Sequence, residues 1–256
     1  MRQEGGNIRF PKKMLVLFTV FLFLSIVFTV LLEAEFSWLD DEKVKIMPLG
    51  DSITEGTPGT VGYRKKLYWD LINSGFKLDF VGSQSTGSGF DCDHDGYGWQ
   101  TASFFNSQLN GPSGYLLNAN TPDVILYHIG TNDLGYSNFS SYALTANETL
   151  RIIYEYDPDI TVILAKIILT TDSDRNIRAH NYNLLLEEYA QHWADNGYSI
   201  IVVDMENALV PALYPAGDLA DMAHPTTSGY EKMAKVWYNV LNELLSASTF
   251  QEGNHS

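Results

Sequence analysis

Residues 44–56 read Val44-Lys45-Ile46-Met47-Pro48-Leu49-Gly50-Asp51-Ser52-Ile53-Thr54-Glu55-Gly56. The apolar run Val44–Met47 is a short buried strand. The glycine-flanked segment after it is a tight turn at that strand's carboxyl end, with Ser52 where a helix N-terminus can follow. Four more runs resemble the first: Leu78–Val81 (the weakest), Val124–Ile129, Thr161–Ala165 and Ile200–Val203. The last three are rich in Val and Ile and lack the apolar/polar alternation of a half-wetted sheet, so they are predicted to be buried on both faces.

Helical spacing fills the intervals. Leu67, Tyr68, Leu71 and Ile72 mark one helix within 63–73; Leu150, Ile153 and Tyr154 mark another; Leu185, Tyr189 and Trp193 a third. Met233, Val236, Trp237, Val240, Leu241 and Leu244 form the clearest stripe, near the C-terminus. Strands alternating with helices predict right-handed crossovers and a five-stranded parallel sheet between two helical layers, an α/β/α sandwich. Residues 82–100 and 109–123 read as two long loops. In such sheets ligands bind beyond the carboxyl ends of the strands, which places chemistry just after Met47, Val81, Ile129 and the last strand.

The chain has 256 residues, with 16 Lys and Arg against 31 Asp and Glu, a net charge of −15. A hydrophobic share of 45% with 18% charged residues excludes wholesale disorder. The acidity argues against nucleic acid as a partner. The single cysteine, Cys92, excludes an internal disulfide, and no Cys/His spacing suggests a zinc site, so no metal and no cofactor are expected.

Residues 14–32 form an uncharged apolar stretch preceded by Arg2, Arg9, Lys12 and Lys13 and followed by Glu33, Glu35 and Asp40. This divides the chain into 1–34, a signal peptide or signal-anchor helix, and 35–256, one domain. The length leans toward an anchor, because cleavage after Ala34 would put bulky Leu32 where a small residue is wanted. The charge asymmetry puts the domain outside the cell, secreted or anchored. Three glycosylation sequons, at Asn138, Asn147 and Asn254, fit that location.

The chemistry-bearing residues follow the strands: Gly50–Gly56 after the first, Gly82 after the second, Gly130-Thr131-Asn132-Asp133 after the third, and Asp221-Met222-Ala223-His224-Pro225 before the last helix. Ser52 needs a base to become a nucleophile. His224 is the candidate, with Asp221 to orient its ring and Asp218 as the other possible orienter. The backbone N–H groups of Ser52 and Gly82 and the Asn132 amide could meet a developing oxyanion. Asp51 and Asp133 are expected to hold their loops through backbone hydrogen bonds. His128 reads as a satisfied core histidine, while His180 and His192 fall on a predicted helix.

Together these blocks resemble the SGNH (GDSL-like) hydrolase superfamily. GDSITEG matches its first block, Gly82 its second, GTND its third and DMAHP its last, spanning Gly50 to Pro225. The resemblance implies a flavodoxin-like sheet of order 2-1-3-4-5. It also implies Ser52 as nucleophile, His224 as base, Asp221 as orienter, and Ser52, Gly82 and Asn132 as the oxyanion hole. Asp91-Cys92-Asp93-His94-Asp95-Gly96-Tyr97-Gly98-Trp99 and the ending HPTTSGYEKMA further resemble the acetyl xylan esterases of carbohydrate esterase family three. The departures from that pattern are Asp95 where Glu is usual, one fewer residue between Gly96 and Trp99, and Cys92. The 91–99 segment also partly fits a calcium loop, although Ala102 stands where an EF-hand wants Glu.

The expectation is a monomeric serine esterase acting on acetylated polysaccharide such as xylan, with Asp51, His94, Tyr97 and Trp99 contacting substrate. The competing readings are a lipolytic esterase using the same three residues and a carbohydrate-binding protein without catalysis.

Overall fold

The computed structural model describes residues 43–56, 59–109, 115–135 and 138–252. The apolar segment 14–32 and Asn254 lie outside them. Among the described residues the strands are β1 (Val44–Gly50), β2 (Leu78–Phe80), β3 (Gln84–Ser85), β4 (Asp93–Gly96), β5 (Val124–His128), β6 (Thr161–Ala165) and β7 (Ile200–Val203). The helices are α1 (Ser52–Glu55), α2 (Arg64–Asn73), α3 (Ala102–Leu109), α4 (Tyr115–Asn120), α5 (Phe139–Tyr156), α6 (Ser173–Asp195) and α7 (Thr227–Glu252).

β1 lies at the centre of the sheet, pairing in parallel with β5, which continues through β6 to β7. On its other side β1 has two partners in succession. β2 lies along its first half, with Ile46 opposite Phe80, and β4 along its end, with Leu49 opposite Asp95 and Gly50 opposite Gly96. β3 then pairs antiparallel with β4. The five strands expected from the apolar runs are present and pair in parallel, and among the described residues β3 and β4 extend them to a mixed sheet of seven. Neither expected loop is structureless, since 82–100 holds β3 and β4 and 109–123 holds α4.

Strand residues alternate between two cores, as the two-residue period of a pleated strand requires. Met47, Leu49, Ile125, Tyr127, Val162 and Leu164 face the layer of α3 to α6. Ile46, Leu126, Ile163 and Ala165 face α2 and α7. On α7 the innermost side chains are Met233, Trp237 and Leu241, all fully buried, with Val236, Val240 and Leu244 beside them. On α6 the buried stripe is Ala179, Tyr182, Leu186 and Ala190, one step round from the predicted Leu185, Tyr189 and Trp193, which pack at its shoulder.

Side-chain caps set three helix starts. Asp51 accepts from Ile53 N–H, Asn138 from Ser141, and Asp172 from Asp174 and Arg175. The sequon residue Asn147 accepts the Trp193 indole N–H at 2.8 Å. Among the described residues, no helix is long and apolar enough to cross a membrane.

His128, at the end of β5, is fully buried, but neither ring nitrogen has a partner outside its own residue. It is a core histidine, though not a satisfied one. Burial pulls its pKa from 6.5 down to about 4. Because the unfolded chain takes up the proton first, His128 costs no stability above its unfolded pKa and an increasing amount as pH falls from there toward the folded value. The His128→Leu variant should therefore gain in Tm relative to the wild type as pH falls from about 7 to about 4.5. Thermal unfolding across that range checks this; a constant difference in Tm would contradict it.

Candidate active site

The site begins with a steric demand at the end of β1. A Cβ on Gly50 would lie 2.3 Å from the His128 carbonyl oxygen and 2.4 Å from Thr54 Oγ1, so only glycine lets β1 turn there against β5. Asp51 then caps α1, placing Ser52 at the first helical position. Gly96 makes a second close approach: a Cβ there would lie 2.5 Å from the Glu55 nitrogen, so β4 and α1 stack backbone to backbone.

Ser52 Oγ lies 2.8 Å from His224 Nε2. His224 Nδ1 lies 2.8 Å from Asp221 Oδ2 and 3.0 Å from Oδ1, while Asp221 Oδ1 also accepts the N–H groups of Ala223 and His224. With Nδ1 donating to the carboxylate, Nε2 carries the lone pair that the Ser52 hydroxyl needs. Partial burial pushes the Asp221 pKa up, but the two backbone N–H bonds and the His224 ring outweigh it and hold the group below the ordinary aspartate range. Asp218 is engaged elsewhere, accepting from Lys232 and Val210 N–H, which leaves Asp221 as the partner of His224.

The serine opens into a cleft of about 570 Å³ lined by Ser52, His224, Glu55, Thr60, Gly98 and Trp99, among others. Trp99 is 84% exposed at φ +66°, a left-handed conformation unusual for so large a residue. Its backbone strain presents an indole to the cleft rather than to the core, the kind of outlier that collects at functional sites.

The other expected contact residues do not reach the cleft. Asp51 is fully buried as the α1 cap. Its pKa rises to about 6, chiefly from burial, against the opposing bond from Ile53 N–H. His94 is buried beneath the cleft wall. Its Nδ1 accepts from Gly96 N–H and its Nε2–H therefore faces Thr86 Oγ1, while burial, aided by nearby Arg64, lowers its pKa to about 3. Tyr97 points away to Phe104 and Phe105 and donates to Asp95. These three residues shape the wall without touching its open face.

Gly82 is displaced in the same way. A Cβ on it would lie 2.0 Å from the His94 backbone, because β4 fills the space between the end of β2 and the end of β1. Beside Ser52 stands Gly98 instead, whose Cβ would be 3.9 Å from that of Ser52 and 2.6 Å from Glu55 Oε2. Its signal in the sequence was the second glycine of Gly96-Tyr97-Gly98, legible only once β4 is known to be a strand. Asn132 is partly buried, with its amide donating to the Gln100 carbonyl at 2.9 Å, and Asp133 ties the same turn to α3 by accepting Ala102 N–H.

Two of the three carboxylates in the 91–95 segment, Asp91 and Asp95, face internal donors. Asp91 accepts from Phe80 N–H, and Asp95 from Ser83 N–H and the Tyr97 hydroxyl. Burial raises the Asp95 pKa to about 6. Among the described residues, no three His, Cys, Asp or Glu side chains converge as metal ligands would.

A seryl hydroxyl, an imidazole and a carboxylate hydrogen-bonded in series at the carboxyl end of an α/β sheet form an arrangement able to turn the hydroxyl into a nucleophile. Residues 49–232 match the GDSL-like Lipase/Acylhydrolase family, and the chain belongs to it. It is 31% identical over 234 residues to a multidomain esterase of Ruminococcus flavefaciens, covering 80% of this chain and 29% of that protein's length. Two solved structures are also similar. A family 3 carbohydrate esterase from Clostridium thermocellum is 28% identical with a TM-score of 0.66, covering 80% of this chain and 98% of the other. A family 3 carbohydrate esterase from Talaromyces cellulolyticus is 26% identical with a TM-score of 0.68, covering 80% of this chain and 99% of the other.

The two glycines predict opposite outcomes. Gly82→Ala forces Cβ into backbone and should lower stability by roughly 3 kcal/mol, read as a fall in Tm. Gly98→Ala clashes only with the end of the flexible Glu55 side chain and comes into contact, at 3.9 Å, with Ser52 Cβ. It should keep Tm within a few degrees while reducing esterase turnover at least about tenfold by crowding the space beside Ser52. Melting curves and 4-nitrophenyl acetate kinetics on both variants check this.

Proposed function

We propose that the protein is a serine esterase that removes acetyl groups from acetylated polysaccharide, xylan first. The observation that carries the reading is the continuous hydrogen-bonded series from Ser52 Oγ through His224 to Asp221, at the floor of an open cleft beside the exposed face of Trp99. The similarity to two family 3 carbohydrate esterases supports the substrate class. The apolar segment 14–32 would hold the domain outside the cell, where such polymers lie.

His224 Nε2 takes the proton of Ser52 Oγ as the oxygen attacks the acetyl carbonyl. The resulting oxyanion meets backbone N–H groups of Ser52 and Gly98 and the Asn132 amide. His224 returns the proton to the departing sugar hydroxyl, leaving acetyl-Ser52. Water, deprotonated by the same imidazole, then attacks the acyl carbon, and His224 passes that proton to Ser52 Oγ as acetate leaves. Asp221 fixes the tautomer and stabilises the transient imidazolium. Trp99 offers an indole face to the sugar ring. Glu55, Thr60 and glycines line the cleft rather than aliphatic side chains, which suits a short acyl group on a hydroxylated carrier over a long acyl chain.

Acetate release from acetylated xylan by the full chain should fall by roughly 10⁴-fold or more in Ser52→Ala. In Asp221→Asn, kcat should drop by roughly 10² to 10⁴ with KM nearly unchanged, because orientation of His224 matters in the transition state. Faster cleavage of octanoyl than acetyl esters would hand the site to a lipolytic role. No Ser52-dependent release from any ester would overturn the reading.

A further inference from the structure

A second hollow of about 400 Å³ adjoins the cleft and shares Gly59 and Thr60 with it as a common rim. Its distinctive residues are Trp69, Lys65, Lys66, Thr227 and Glu231. Trp69 lies on α2 and is 41% exposed, held edge-on against Tyr68 with ring centroids 5.3 Å apart. Lys65 Nζ reaches the Ser88 carbonyl, and among the described residues it forms no ion pair; Lys66 is paired with Asp70 on its own helix.

The esterase chemistry proposed above uses none of these residues. A hollow with one open aromatic face and a rim of ammonium, carboxylate and hydroxyl groups matches a pyranose. The ring's apolar face stacks on indole, and its hydroxyls both donate and accept. An acyl chain would take water from the Lys65 and Glu231 charges at that rim without replacing it, and a phosphate would meet Glu231. The shared Gly59–Thr60 rim makes this hollow a continuation of the cleft, so a sugar chain running on from Ser52 and Trp99 along it would reach Trp69.

We propose that this hollow is a distal sugar subsite, and that the protein binds its acetylated substrate as an oligosaccharide spanning Trp99 and Trp69. The proposal rests on the polysaccharide esterase reading for the identity of the polymer, but the subsite itself can be tested without catalysis. The probe is unsubstituted xylohexaose, titrated by calorimetry into the full chain carrying Ser52→Ala. Adding Trp69→Ala should weaken binding roughly fivefold to tenfold, the scale of one lost aromatic contact. Trp69→Phe should recover most of the loss, and Leu184→Ala, exposed on α6, should change nothing.

With active enzyme, Trp69→Ala should leave kcat/KM for 4-nitrophenyl acetate unchanged and lower it by a similar factor on acetylated xylohexaose, mainly through KM. Xylohexaose binding indifferent to Trp69 overturns the subsite. Trp69-dependent binding without Ser52-dependent acetate release leaves the subsite standing and removes the esterase reading.

Discussion

The buried guanidinium of Arg64 holds the site's parts in register. It is fully inaccessible to solvent and donates to the carbonyls of Thr54, Glu55, Cys92 and Thr86 and to the Thr86 hydroxyl. No carboxylate pairs with it among the described residues. Burial lowers its pKa to about 10, and it stays charged at neutral pH because peptide oxygens replace its water. Those oxygens belong to the end of α1, to the turn after β3 and to the strand entry before β4. One cation therefore joins the helix that carries Ser52 to the hairpin that carries the cleft wall. Bonds to a charged donor contribute about 1.5–3 kcal/mol each when buried, though not additively.

Around that cation the wall is packed with polar groups. β4 is Asp-His-Asp-Gly, yet His94 and Asp95 are wholly buried. Each is satisfied locally, His94 by Gly96 and Thr86, Asp95 by Ser83 and Tyr97. A network satisfied in this way fixes one geometry where an apolar strand would tolerate several. Gly50 and Gly96 bring the backbones of β1, β4 and α1 into contact, and Trp99 emerges from the same segment with its indole toward solvent. The rigidity of the wall and the exposure of Trp99 thus come from one stretch of chain.

The legible part of the sequence was its apolar part. β1, β5 and β6 appear as runs because they are buried on both faces; β7, expected to be the same, is an edge strand whose Ile200, Ile201 and Val202 are only half-buried, and α7 appears because Trp237 and Leu241 recur on one side. The Ser52, His224 and Asp221 positions were legible because Ser52 follows a strand, His224 and Asp221 precede a helix, and the blocks around them resemble those of the SGNH hydrolases. β4 was hidden, since hydrophobic periodicity cannot report a strand whose burial is repaid by hydrogen bonds. That gap explains the misplacements: with β4 read as loop, Gly82 is the glycine nearest Ser52, and His94 and Tyr97 can be imagined facing substrate. Once β4 is inserted, Gly82 falls behind it, His94 turns inward and Gly98 takes the place beside the serine. The unpaired nitrogens of His128 had no signal, because sequence cannot say which core positions lack partners.

The proposed esterase reading requires Ser52 to be an activated nucleophile rather than a turn residue. The most direct measurement is covalent labelling of the full chain with a fluorophosphonate, which transfers a phosphonyl group only to an activated serine, located by peptide mass spectrometry. The account predicts one phosphonyl group per chain, on Ser52, with labelling lost in His224→Ala. Labelling confined to another serine, or its persistence on Ser52 without His224, would contradict it.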